Sequence, residues 1–166
     1  MTRDVVRLPH PALTRAAVPV DPRDPAVVML AADLVATMRA SPACVGLAAN
    51  QVDDPRHVFC MDVTGHPKAR TCHGLVVLAN AVVVAAERPE PGREGCLSVP
   101  DLTGNVTRSA RVVVRGLVPG SGEPREVDAD AIEARCLLHE LDHLAGLLFL
   151  DRVDSPHAVF PRQTYR

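Results

Sequence analysis

Within Leu137 to Arg152, LLHELDHLAGLLFLDR, two histidines stand four positions apart with a glutamate beside the first: His139, Glu140 and His143. Imidazoles and carboxylates are the side chains that hold divalent metals and move protons near neutral pH. Four residues advance a helix by roughly 400°, about 40° past a full turn, so both rings leave one face and can share an ion. Glu140 lies next to them, placed to act as general base on a water at that ion. The plain alternative is a solvated amphipathic face. Leu144, Ala145, Leu147 and Leu148 argue against it, because they make the surroundings apolar, and a buried His-Glu-His cluster needs partners.

Two histidines do not complete a catalytic metal site. The pattern H-E-x-x-H-x-x-G-x-x-H is matched through Gly146, but its third histidine position is Phe149, and no glutamate follows Glu140. Asp151, Asp154 and His157 lie downstream at no recognised spacing. The missing ligand is therefore sought upstream, where PGREGCLSVPDL offers Cys96 in a Gly-containing turn before a strand-like run. A thiolate would leave one position of a tetrahedral site open. Taken singly, Cys96 reads equally as a small buried hydrophobe.

The elements that must carry these residues are legible in outline. Asp24-Pro25 opens a helix whose apolar residues, Val27, Leu30, Ala31, Leu34 and Met38, recur until Ser41-Pro42. Arg56 to Val63, Gly74 to Arg88 and Arg108 to Val118 read as strands rich in β-branched residues. After the turn-rich PGSGEP comes the alternation REVDADAIE. Asp130 and Glu133 have the spacing of a capping box, and a helix is expected from Ala131 to Gly146, so the metal motif lies on a helix. Short turns between the middle strands predict an α+β fold: antiparallel β-sheets packed around a central C-terminal helix carrying the motif, with an N-terminal helix.

Composition narrows the function. A chain of 166 residues, 47% hydrophobic, is expected to form one domain over 1–166. With no Trp, one Tyr and three Phe, it has no platform for stacking bases, and a net charge of -2 with mixed signs offers no basic stripe, so direct nucleic-acid binding is not expected. Neither a signal peptide nor a membrane span is expected. Five scattered cysteines without a C-x-x-C pair fit a reduced, cytoplasmic setting.

CVGLAANQ (Cys44 to Gln51), EGCLS (Glu94 to Ser98) and HELDH (His139 to His143) occur in this order, and together they resemble the three motifs of the peptide deformylase family. The trailing GLLFLDRV is similar as well. The resemblance implies hydrolysis of the formyl group from N-formylmethionyl peptides of nascent proteins, with the ribosome as a candidate setting. It implies that Cys96, His139 and His143 bind a metal, natively Fe(II), with Zn, Ni or Co able to substitute. Glu140 would be the general base, and the Gln51 amide and Leu97 backbone N–H would meet the oxyanion. Val45, Gly46 and Gly95 would contact the substrate, and Cys136 with Val45 and Ile132 would line the methionine pocket. Glu94 and Arg108 would form a charged pair supporting the Cys96 loop. His10, His57, His66, His73 and His157 read as surface residues.

Departures from the family pattern are Cys44 for a glycine, Leu138 for a glutamine and Thr103 for an arginine. With 23 residues after His143, the sequence is expected to lack the long C-terminal helix that in some members contacts the ribosome, so the resemblance does not by itself imply that contact. The competing readings are a zinc peptidase, a thiol hydrolase using Cys96 and His139, and a non-catalytic or altered-specificity metal protein.

Overall fold

The structure, a computed structural model, describes residues 1–163. Its spine is one long hairpin, β3 (Val76–Cys96) and β4 (Val99–Leu117), around which the other strands attach. The order β1 (Gly46–Ala48), β2 (Val58–Met61), β3, β4, β5 (Pro124–Asp130) is antiparallel throughout, and β6 (Val159–Pro161) pairs with β4 at Leu102 to Gly104. The expected antiparallel sheets are thus joined into one curled sheet around α2 (Ala131–Leu144), with α1 (Pro25–Ala40) against β1 and β2. Among the described residues, no helix is long and apolar enough to cross a membrane.

β2 explains how the layers meet. Its alternate residues face opposite sides, and both sides are covered: Phe59 and Met61 join the core with Leu78, Val112, Val127 and Leu137, while Val58 and Cys60 join Leu30, Leu34, Met38 and Leu47. The sheet bends where pairing slips between Ala79 and Val82. Asn80 sits there at φ 51°, a left-handed conformation that asparagine tolerates, and its amide clasps Val20 N–H at 2.9 Å and Val20 C=O at 2.7 Å.

Five sequence expectations need correction. The strand expected to end at Arg88 continues to Cys96, through Pro89 and Pro91. Prolines two apart turn their missing N–H groups to the same edge, and among the described residues β3 pairs on its β2 side only over Val76–Ala79, so the absent donors cost no ladder bond. The second strand of the hairpin likewise starts at Val99, not Arg108. Cys96 is therefore the last strand residue before a tight Leu97-Ser98 turn and pairs with Val99, rather than sitting in a loop. The capping box does not form. Asp130 caps Ala131 N–H at 2.6 Å, but Glu133 is fully buried and turns to His73, accepting its backbone N–H at 2.7 Å, while Thr71 Oγ1 takes the Asp130 N–H at 2.9 Å. The helix itself ends at Leu144, with Gly146 in the left-handed region at φ 78°. Asp24 and Pro25 start α1 as read, Asp24 accepting Ala26 N–H at 2.8 Å.

Leu34 is fully buried on α1, whereas Met29, five residues earlier and on another face of the helix, is 62% exposed. Leu34→Ala should lower the free energy of unfolding by about 2–5 kcal/mol, and Met29→Ala by less than about 0.5 kcal/mol, in paired urea titrations.

Candidate metal centre and catalytic cleft

Helix α2 presents His139 and His143 one turn apart, their ring centroids 4.9 Å from one another at 76°. The hairpin tip delivers Cys96 to the same point. Its Sγ lies 3.2 Å from His143 Nε2, and the three donor atoms fall within 4.8 Å of one another. Phe149, at the position that could not supply a ligand, stacks beside His139 with centroids 6.5 Å apart.

Glu94 orients this trio. Two residues before Cys96 on the same face of β3, its Oε1 lies 2.8 Å from His139 Nδ1, which leaves the other ring nitrogen for the centre. Arg108 binds the same carboxylate with both arms, at 2.6 and 3.0 Å, and Arg135 adds a third bond at 2.8 Å. Arg108 also reaches Asp142 at 2.8 Å, and Asp142 accepts from Arg152 at 3.0 Å. Burial raises the Glu94 pKa, but the bonds from His139 and Arg108 outweigh it and bring the carboxyl down to about 2. The Glu94–Arg108 pair expected beneath Cys96 is therefore present, buried and extended into a network. Arg135, Asp142 and Arg152 were not singled out in the sequence. The signal for Asp142 was a carboxylate between two histidines in an otherwise apolar helix end.

The electrostatics suit a cation. Burial alone would depress both imidazoles, and it holds His143 well below the usual histidine range, hence neutral and able to ligate. At His139 the bonds to Cys96 and Glu94 and the nearby Glu140 reverse the effect and lift it to about 10. The surroundings thus favour positive charge where the three donors meet, and two imidazoles with one thiolate form a donor set suited to a divalent transition metal. Burial lifts Glu140 to about 7, and its Oε2 is buried with no hydrogen-bond partner. Gln51 Oε1 accepts Ala48 N–H at 3.0 Å, which fixes the amide so that Nε2 points to Cys96 Sγ at 3.4 Å and Ser98 Oγ at 3.1 Å. Asn50 donates from its side chain to the His143 carbonyl, tying the same segment to the end of α2.

These residues border a cleft of about 150 Å³ whose walls include Val45, Gly46, Gly95, Leu97, Ile132 and Cys136, with Gln51, Cys96, His139 and Glu140 at its base. Gly46 leaves room for the base: a Cβ there would strike the Glu140 carboxylate and come within 2.9 Å of Cys136 Sγ, so any larger residue would displace Glu140. Cys44 turns its thiol to the Gly46 carbonyl at 3.1 Å, and burial, with Glu140 nearby, pushes that thiol up to about 12. Thr103 pairs across the hairpin with Gly95 and accepts from Arg93 at 3.2 Å. Leu138 packs at the edge of the main core. Of the remaining histidines, His73 and His157 are exposed as expected, whereas His10, His57 and His66 are half-buried, and burial lowers the His57 pKa.

A family model described as polypeptide deformylase matches residues 2–159. The peptide deformylase of Syntrophobacter fumaroxidans is 39% identical over 151 residues, covering 91% of this chain and 86% of that protein. Among solved structures, a peptide deformylase from Legionella pneumophila superposes with a TM-score of 0.84 at 32% identity, covering 95% of this chain and 88% of the other. A Met-Ala-Ser-bound peptide deformylase from Acinetobacter baumannii superposes with a TM-score of 0.81 at 31% identity, covering 92% and 99%.

Glu94→Gln removes the charge that both arginines and His139 share. Competition titration with a chelator should show affinity for a divalent ion reduced about 10–100-fold. Urea titration of the same variant should show a loss of about 3–5 kcal/mol.

Proposed function

We propose the following chemistry for this chain, which belongs to the polypeptide deformylase family: hydrolysis of the N-formyl group of N-formylmethionyl peptides, yielding formate and a free N-terminus. The observation that carries it is the meeting of Cys96, His139 and His143 beside a buried Glu140 whose carboxylate has an unpaired oxygen. Cys96, His139 and His143 hold the metal, natively Fe(II), with Zn, Ni or Co as working substitutes. When bound, a divalent ion supplies Lewis acidity that brings the pKa of a water towards neutrality.

Everything else falls to the chain's own groups. Glu140 accepts the proton from the attacking water through Oε2 and returns it to the departing nitrogen, so that a carbon–oxygen bond forms as the formyl carbon–nitrogen bond breaks. Negative charge grows on the formyl oxygen, where Gln51 Nε2 and the Leu97 N–H donate to it. The Ala48 bond already holds the Gln51 amide in the required sense, so no reorganisation is needed as the charge develops. The peptide backbone adds as a strand between the outer edge of β1 at Val45-Gly46 and the uncovered edge of β3 at Gly95. Its methionine side chain enters between Val45, Ile132 and Cys136. Residues 1–166 act as one hydrolase domain, in the cytoplasm, on chains emerging at the ribosome. The five cysteines are free thiols, in keeping with that compartment.

Anaerobically purified protein should release formate from formyl-Met-Ala-Ser. A chelator should abolish turnover, and added Fe(II), Ni(II) or Co(II) should restore it; turnover that survives full metal removal would instead fit Cys96 as a nucleophile. Glu140→Gln should lower kcat about 10²–10⁴-fold with metal content unchanged, and an undiminished rate would remove Glu140 from the reaction.

A further inference from the structure

Past the reacting atoms, the mouth of the cleft is positively charged. Arg93, near the end of β3, and Arg162, just after β6, both line it. Arg93 is held in place without a carboxylate: Nε donates to Asn105 Oδ1 at 2.8 Å, Nη1 to Thr103 Oγ1 at 3.2 Å, and the guanidinium lies 4.0 Å over the Phe160 ring. Arg162 donates to the Cys96 carbonyl at 3.5 Å, and a side chain at Gly95 would meet its Nη2 at 3.5 Å. Every one of these partners is neutral. In contrast, Arg108 and Arg135, deeper in, are bound to Glu94.

The charge continues outward. A second hollow shares Arg93, Ile132 and Arg135 with the cleft and adds Lys68 and Arg70, with Glu90 as its carboxylate. Among the described residues, Lys68, Arg93 and Arg162 belong to no ion pair, while Arg70 lies near enough to Asp130 to help lower that carboxyl's pKa; the chain as a whole carries a net charge of -2. Basic groups therefore outnumber acidic ones along these two linings, and concave walls concentrate the field of such an excess. A guanidinium already fixed by stacking and hydrogen bonds also loses little freedom when it takes an anionic partner.

A formylated peptide lacks the positive α-amino group, so its charge in this cleft comes from the residues that follow the methionine. Gly46, Gly95, Arg93 and Arg162 line one cleft, so a peptide whose first residue lay beside the two glycines would have the arginines within reach of the residues that follow. We propose that Arg93 and Arg162, supported by Lys68 and Arg70, make the site selective for formylated peptides with Asp or Glu at the second to fourth positions. This rests on the deformylase reading and names the substrate class within it.

The test compares kcat/KM of the metal-loaded enzyme for formyl-Met-Ala-Ala-Ala, formyl-Met-Asp-Glu-Ala and formyl-Met-Lys-Lys-Ala. At low ionic strength the acidic peptide should exceed the basic one about tenfold, and the ratio should shrink by about half or more in roughly 0.5 M salt. In the Arg93→Ala/Arg162→Ala double variant the ratio should fall to about two or less, whereas Arg93→Lys, which keeps the charge, should retain most of it. Equal rates for acidic and basic peptides in the unaltered enzyme overturn the proposal, as does a ratio that the double variant leaves unchanged. Circular dichroism and the single variant Arg162→Ala separate misfolding from lost selectivity. Failure of the alanine peptide to release formate would overturn the deformylase reading itself, a different result from its turnover without charge preference.

Discussion

A buried negative charge at Glu94 is the constraint around which the site is built. A carboxylate removed from water is tolerated only when its oxygens are fully engaged, and here Arg108, Arg135 and His139 engage them. Those partners come from three places: the second strand of the hairpin and two successive turns of α2. Satisfying one charge therefore fixes the hairpin tip against the helix. Because Glu94 and Cys96 share a face of β3, the placement that neutralises the first brings the sulfur of the second to the imidazoles. The Arg108 bridge to Asp142 repeats the tie one turn further along, so the helix can neither rotate nor slide without exposing an unpaired charge.

The surrounding fold supplies the rest by simple means. β2 is apolar on both faces, which lets one sheet pack α2 within and α1 outside. The segment after β1 then carries Gln51 to the sulfur and Asn50 to the carbonyl of His143. Positioning groups for the centre therefore come from elements far apart in the chain, each held by an interaction that would be costly to lose.

What could be read in the sequence follows from the range of the forces involved. The α2 motif was legible because two ligands and the base lie within one turn, where helix geometry alone sets their relation. Asp24-Pro25 was legible for the same reason. The route to Cys96 was less so: prolines ordinarily break strands, and only the knowledge that one edge of β3 is uncovered shows why Pro89 and Pro91 are tolerated. Cys96 itself could be reached by eliminating downstream ligands and by the likeness of three short motifs, but not by any local signal. Glu133 shows the opposite failure. Its spacing from Asp130 suited a local cap, yet a distant partner, His73, claims it. Arg135, Arg152 and the cleft-mouth arginines were invisible for a related cause, since their meaning depends on which charges lie opposite them in space.

The distribution of sulfur has a practical consequence. Cys60 and Cys136 are buried and Cys44 is half-buried at the cleft wall, and burial raises all three pKa values, so little thiolate exists at these positions near neutral pH. Cys72 stands exposed in the segment before β3, its sulfur 3.5 Å from the Thr64 hydroxyl. An electrophilic dye or spin label applied to the native, metal-filled protein would accordingly find Cys72 first, giving a single attachment point outside the cleft without any cysteine having to be removed.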